Sequence, residues 1–138
     1  MLKKRFTLTE AEVCSFTRQA ALACEYLHNS GMIHGDIKPA NLLLNDKLVL
    51  KVADFGLATI IRKNVLKKKP CGTPNYMPPE MVRKQRYSFK VDVWSLGCVA
   101  YTMLVGSPPP FEAVNRDKTF ERIKSCNSPF RITSTFRV

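Results

Sequence analysis

The run "VDVWSLGCVAYTMLVG" at 91–106 constrains the fold more than any other stretch. Its apolar side chains fall on nearly every side of a helix, and such a helix has to be buried. It is too short to cross a bilayer and it carries Asp92. The rest of the chain must therefore wrap around it, and Gly106 can end it. With 138 residues and 45% hydrophobic side chains, one domain or part of one can supply that wrapping.

The wrapping elements are legible in part. Thr9 and Glu12 have the form of a capping box. Phe16, Ala20, Ala23 and Leu27 follow at helical spacing, which predicts a helix from about 10 to 28 with Gly31 just past its end. Met32-Ile33 reads as a short buried strand. "NLLLND" and "KLVLKVADF" predict two short strands around an Asn45-Asp46 turn. Residues 57–80 show no period and are broken by Pro70, Gly72, Pro74, Pro78 and Pro79. Long irregular segments of this kind are usually functional or disordered. "SPPPF" is a stiff turn. An amphipathic helix is expected from Arg116 to Lys124, with Phe120 and Ile123 inward. Residues 126–138 carry no pattern and are expected to be loose. There are no internal repeats.

Composition narrows the class. A net charge of +11 suits anionic partners, although a solvated basic surface, or a piece of a larger and more acidic protein, is the simpler reading. The five cysteines, Cys14, Cys24, Cys71, Cys98 and Cys126, have no CxxC spacing. That argues against a zinc site and a disulfide framework, and favours reduced thiols in a cytoplasmic or nuclear protein. The N-terminus has charges without a following apolar run, so no signal peptide is expected, nor any membrane partner.

Two strings carry the chemistry. The first is His34-x-Asp36-x-Lys38-x-x-Asn41, and the second, thirteen residues after Asn41, is Asp54-Phe55-Gly56. Asp36, Asn41 and Asp54 offer hard oxygen ligands or a base, which suits Mg²⁺. A carboxylate can take a proton from a hydroxyl, and an ammonium beside it steadies phosphate oxygens. Together these are the parts of phosphoryl transfer.

At these residues, with Pro78-Pro79-Glu80 closing the segment, the chain resembles the C-terminal lobe of eukaryotic protein kinases. Lys38 and "GTPNY" at 72–76 are similar to serine/threonine kinases. "FGLAT", "CGTPNY" and the buried helix are most similar to the polo-like kinases. The resemblance implies a mainly α fold with a small β hairpin, with residues 1–125 as a partial kinase domain. It implies ATP and Mg²⁺ as cofactors and protein Ser/Thr side chains as substrates. By resemblance Asp36 is the catalytic base and Lys38 contacts the transferred phosphate. Asn41 and Asp54 hold Mg²⁺, and Thr73 seats the substrate beside Asp36. Asp92 holds the catalytic-loop backbone, while His34 and Gly56 are structural. Glu80 would pair with an arginine beyond this chain. A centrosomal location is possible by this resemblance only.

The chain also departs from the family. None of its six glycines has the G-x-G spacing of a nucleotide loop, so the N-terminal lobe is expected to be absent, and the last helices of the C-terminal lobe as well. His34-Gly35-Asp36 stands where His-Arg-Asp is usual, and Lys69 where polo-like kinases carry an activating threonine. Without the arginine and the threonine, activity is expected to be independent of activation-segment phosphorylation. Two rival readings remain from sequence: an inactive pseudokinase serving as an interaction module, and a basic nucleic-acid binder using Arg62, Lys63 and Lys67–Lys69. No aromatic series or known motif supports the second.

Overall fold

The computed structural model describes residues 8–61, 72–106 and 108–126. Lys69, Cys71, the basic residues at 62, 63 and 67–69, and the tail beyond 126 lie outside them. The chain runs α1 (Glu10–Asn29), β1 (Met32–Ile33), β2 (Leu42–Leu44), β3 (Leu50–Val52), β4 (Thr59–Ile60), α2 (Pro79–Val82), α3 (Lys90–Val105) and α4 (Arg116–Ser125). Short 3-10 turns at Pro39–Asn41 and Pro74–Tyr76 punctuate it. The described fold is helix-rich with two small antiparallel pairs of strands.

Helix α1 starts where the capping box places it. The Thr9 hydroxyl accepts the Glu12 N–H, and Glu12 Oε2 accepts the Thr9 N–H at 2.8 Å. Val13, Phe16, Ala20 and Cys24 are its buried stripe. Ala23 and Leu27, expected inward, are only half-buried, and Cys24 takes the core position instead. That stripe packs with Leu8, Ile37, Val99 and Met103 in the main cluster. A second cluster joins Ile33, Met77, Met81, Tyr87 and Val91, and a third joins Cys98, Phe111 and Ile123. Helix α3 contributes to all three, so it is the common wall.

One expectation needs correction. Helix α3 is not buried all round, because Val93 is 62% exposed and Gly97 is also exposed. Val91, Asp92, Ser95, Leu96, Cys98, Val99, Thr102 and Met103 face the clusters. On the Val93 side no described element lies over the helix. Beside it runs an open groove lined by Arg18, Leu22, Glu25, His28, Val93 and Leu96.

The strands set up the site. β2 and β3 pair antiparallel with Leu42 opposite Val52. Asn45 closes the hairpin, its Oδ1 accepting the N–H groups of Lys47 and Val49 at 3.0 and 2.8 Å. Gln19 of α1 ties the hairpin down by accepting the Leu50 N–H at 2.8 Å. β1 pairs with β4, Met32 opposite Ile60. β4 falls in the stretch that showed no period, since a two-residue strand cannot produce one. In α4, Ile123 and Thr119 are buried and Phe120 is half-buried.

Burial also sorts the thiols. It pushes the Cys24 and Cys98 thiols up to about 12, while Cys14 and Cys126 are exposed. The thiolate is the reactive form. Iodoacetamide at neutral pH should therefore label Cys14 and Cys126 rapidly and leave Cys24 and Cys98 unlabelled until urea is added. Mass spectrometry of the digested protein checks this.

Candidate active site

The segment His34–Lys38 is irregular, yet four kinds of contact fix it. Ile33 and Ile37 are fully buried, in different core clusters, and pin the loop at both ends. Burying an isoleucine is worth about 1.5–3 kcal/mol, so each pin is strong. From behind, Asp92 in the first turn of α3 holds the backbone. Its Oδ2 accepts the His34 N–H and its Oδ1 accepts the Gly35 N–H, both at 2.9 Å. A third donor, His28 Nε2, reaches Oδ2 at 2.8 Å from the end of α1. A fully buried carboxylate is tolerable only with such donors, and the positive end of a helix favours it further.

His34 is itself fully buried. Its Nδ1 accepts the Asp36 N–H at 3.3 Å, and its Nε2–H donates to the Ala53 carbonyl at 3.1 Å. The ring also meets Phe55 edge-on, with centroids 5.1 Å apart. The imidazole thereby links the loop to the far end of the hairpin. Ala53 N–H in turn donates to the Asn41 carbonyl at 2.9 Å, which continues the β2–β3 pairing by one step. That register brings Asn41 and Asp54 to the open end of the same hairpin.

Asp36 is the hub. Its Oδ1 accepts the Thr73 N–H at 2.9 Å and the Thr73 hydroxyl at 2.8 Å. Its Oδ2 accepts Lys38 Nζ at 2.6 Å and Asn41 Nδ2 at 3.3 Å. Lys38 Nζ also donates to Thr73 Oγ1 at 2.9 Å, closing a three-membered knot. Burial pushes the Asp36 carboxyl up, but the hydrogen bonds from Lys38 and Thr73 together outweigh it and hold the group below its ordinary value. Asn41 spends its amide nitrogen on Asp36, donating also to the Asp36 carbonyl at 2.9 Å, and so keeps Oδ1 for another contact.

Asp54 stands exposed at φ 64, its Oδ1 accepting the Gly56 N–H at 3.2 Å. Among the described residues no three His, Cys, Asp or Glu side chains converge as a metal cluster. One amide oxygen and one exposed carboxylate remain, a donor set that fits Mg²⁺, which keeps several waters and phosphate oxygens. Glu80 is half-buried and forms no ion pair among the described residues. Gly35 adopts φ 78, the left-handed region that favours glycine. An arginine here would be strained as well as charged.

Sequence reasoning did not single out three contributors. His28 is one, lying six residues before the loop on a different element. Ile37 is another, an apolar residue between two charged ones whose side chain alternates inward. The Ala53 carbonyl is the third, and a backbone acceptor carries no sequence signal.

The protein kinase domain model matches residues 1–138. Serine/threonine-protein kinase PLK1 of Xenopus tropicalis is 48% identical over 123 residues, which is 88% of this chain and 20% of that protein. Serine/threonine-protein kinase polo of Drosophila melanogaster is 46% identical over 136 residues, 98% of this chain and 23% of that protein. A probable serine/threonine-protein kinase of Zea mays, CCRP1, is 48% identical over 132 residues, 94% and 21%. The chain belongs to the protein kinase family, in its polo-like serine/threonine branch. It spans about a fifth of the length of these relatives.

Two outcomes follow from the geometry. Asp92→Ala leaves one buried and two partly buried donors without their acceptor and should cost about 3–5 kcal/mol, read as a fall in the urea midpoint. The lowered Asp36 carboxyl contributes stability that is complete above its unfolded value of about 4 and is lost as pH falls through the folded value. Lys38→Met removes one of the two lowering partners. It should flatten the acid limb of the stability–pH curve, measured by urea titration from neutral pH downward.

Proposed function

We propose that this chain forms the catalytic-loop lobe, the C-terminal lobe, of a serine/threonine protein kinase, and that its residues carry out transfer of the ATP γ-phosphoryl group to a protein hydroxyl. The observation that carries this reading is the Asp36–Lys38–Thr73 knot. It sets a carboxylate, an ammonium and a hydroxyl within hydrogen-bond reach of one another, with Asn41 bonded to the same carboxylate.

Each side chain then has a task. Asp36 accepts the hydrogen bond of the incoming Ser or Thr hydroxyl and orients it. For that it must release one of its four present donors, and the long bond from Asn41 is the weakest of them. A carboxyl held below its ordinary value is a weak base. It suits a dissociative transfer in which the hydroxyl proton leaves late. Lys38 sits where its charge can pass from Asp36 to the oxygens of the transferred group. Thr73 fixes the carboxylate's other oxygen, so that only one edge of Asp36 turns to substrate. Asn41 Oδ1 and Asp54 would hold Mg²⁺, which when bound neutralises phosphate charge.

The complete set of these residues favours an enzyme over a purely docking, catalytically silent module. The substrates are proteins, and the polo-like names of the relatives support Ser/Thr specificity. Joined to the glycine-rich lobe of a polo-like relative, the chain should phosphorylate a Ser/Thr peptide with Mg·ATP. Asp36→Asn should lower kcat by roughly 10²- to 10⁴-fold with the fold retained by circular dichroism. A kcat unchanged by that substitution removes the reading.

A further inference from the structure

Gly72 lies one residue before Thr73 and has φ 104. A Cβ built at this position would stand 2.7 Å from the Gly35 carbonyl oxygen, and 3.7 Å from Asp36 Oδ1. Carbon and oxygen do not approach to 2.7 Å without displacement. The neighbour is backbone rather than a flexible side-chain end, so relief requires one of the two segments to move.

The Gly35 side cannot retreat. Its N–H is bonded to the buried Asp92, and the next two residues are anchored by the Asp36 contacts and by Ile37 in the core. The partly open pocket lined by Gly35, Asp36, Gly72, Thr73 and Tyr76 among others has a volume of only about 10 Å³, room for one water at most. Any side chain at 72 therefore pushes residues 72–73 outward. The first bonds to stretch are the two from Thr73 to Asp36 Oδ1.

We infer that Gly72 is a positioning residue for Asp36: its bare backbone rests against the Gly35 carbonyl, and this contact sets the distance at which Thr73 grips the carboxylate. The contact is between two glycines, 35 and 72, one of them at the position where the family usually carries arginine. The catalytic part of the inference rests on the kinase reading above, whereas the geometric part does not.

The test separates the two. Amide hydrogen exchange is measured on the full chain for the wild type, Gly72→Ala and Gly72→Asn. Asparagine tolerates positive φ better than alanine and so lessens the backbone strain that accompanies the contact. Gly97→Ala is the control, because a Cβ there meets nothing within 4 Å. The Thr73 amide should exchange about tenfold faster or more in both Gly72 variants, while the Val99 amide in the core keeps its wild-type rate. The control should leave Thr73 unchanged. Thr73 protection equal to wild type in either folded variant overturns the inference. So does a parallel rise at Val99, or failure of both variants to fold, since the glycine would then serve the whole fold.

With a relative's glycine-rich lobe attached, Gly72→Ala should lower kcat about 10²-fold with little change in peptide KM. In a Thr73→Val background it should lower kcat no further, and an additive loss overturns the proposed route through Thr73. A wild-type chimaera without activity counts against the kinase reading alone, and the exchange result still decides the positioning.

Discussion

The buried carboxylate of Asp92 is the interaction on which the site depends. It is the only acceptor described for the backbone N–H groups of His34 and Gly35, and it takes His28 as a third donor. One residue of the central helix thus determines where a loop of no regular structure lies. Burying a charge in this way is costly unless every lone pair is used. The cost is offset by charge-assisted hydrogen bonds and by the helix N-terminus. Such an anchor is rigid because each donor counts: losing one leaves a lone pair of a buried carboxylate unsatisfied.

From that anchor the site grows outward in a definite order. Asp92 fixes the peptide planes at 34 and 35, and Ile33 and Ile37 fix the two ends. His34 carries the position across to Ala53, and so to the hairpin that bears Asn41 and Asp54. Asp36 is left nearly buried, with its oxygens divided between Thr73 on one side and Lys38 and Asn41 on the other. Val93 takes no part in this chain of contacts, and of the groove beside it His28 alone reaches the anchor. That explains how the site can be well ordered beside an apolar surface that no described element covers.

The sequence made the strongest local signals legible. The capping box at Thr9 and Glu12, the hairpin turn at Asn45 and the apolar run of α3 each have a local physical cause, and each lies where it was expected. The motif spacing also brought Asp36, Lys38, Asn41 and Asp54 into view before any geometry, and the family resemblance added Thr73. What stayed hidden depends on partners distant in sequence. β4 at Thr59–Ile60 exists only because Met32–Ile33 lies beside it. Cys24 replaced Ala23 in the core because the packing of α1 against α3 set which edge of the stripe turned inward. Val93 looked buried because hydrophobicity alone does not report how many neighbours surround a helix. In the sequence Gly35 stands out only as a replacement for the arginine usual in the family. Its φ of 78 adds a backbone reason that no composition argument could supply.

By this chain of contacts a carboxylate on the core helix holds the His34–Lys38 loop as firmly as the core itself. Residue-resolved amide exchange on the unmodified chain, under native conditions, tests it most directly. The account predicts that the His34 and Gly35 amides open only with the slowest class, together with Val99 of α3. Exchange of those two amides in the fast class, alongside the exposed hairpin turn at Lys47, would contradict it.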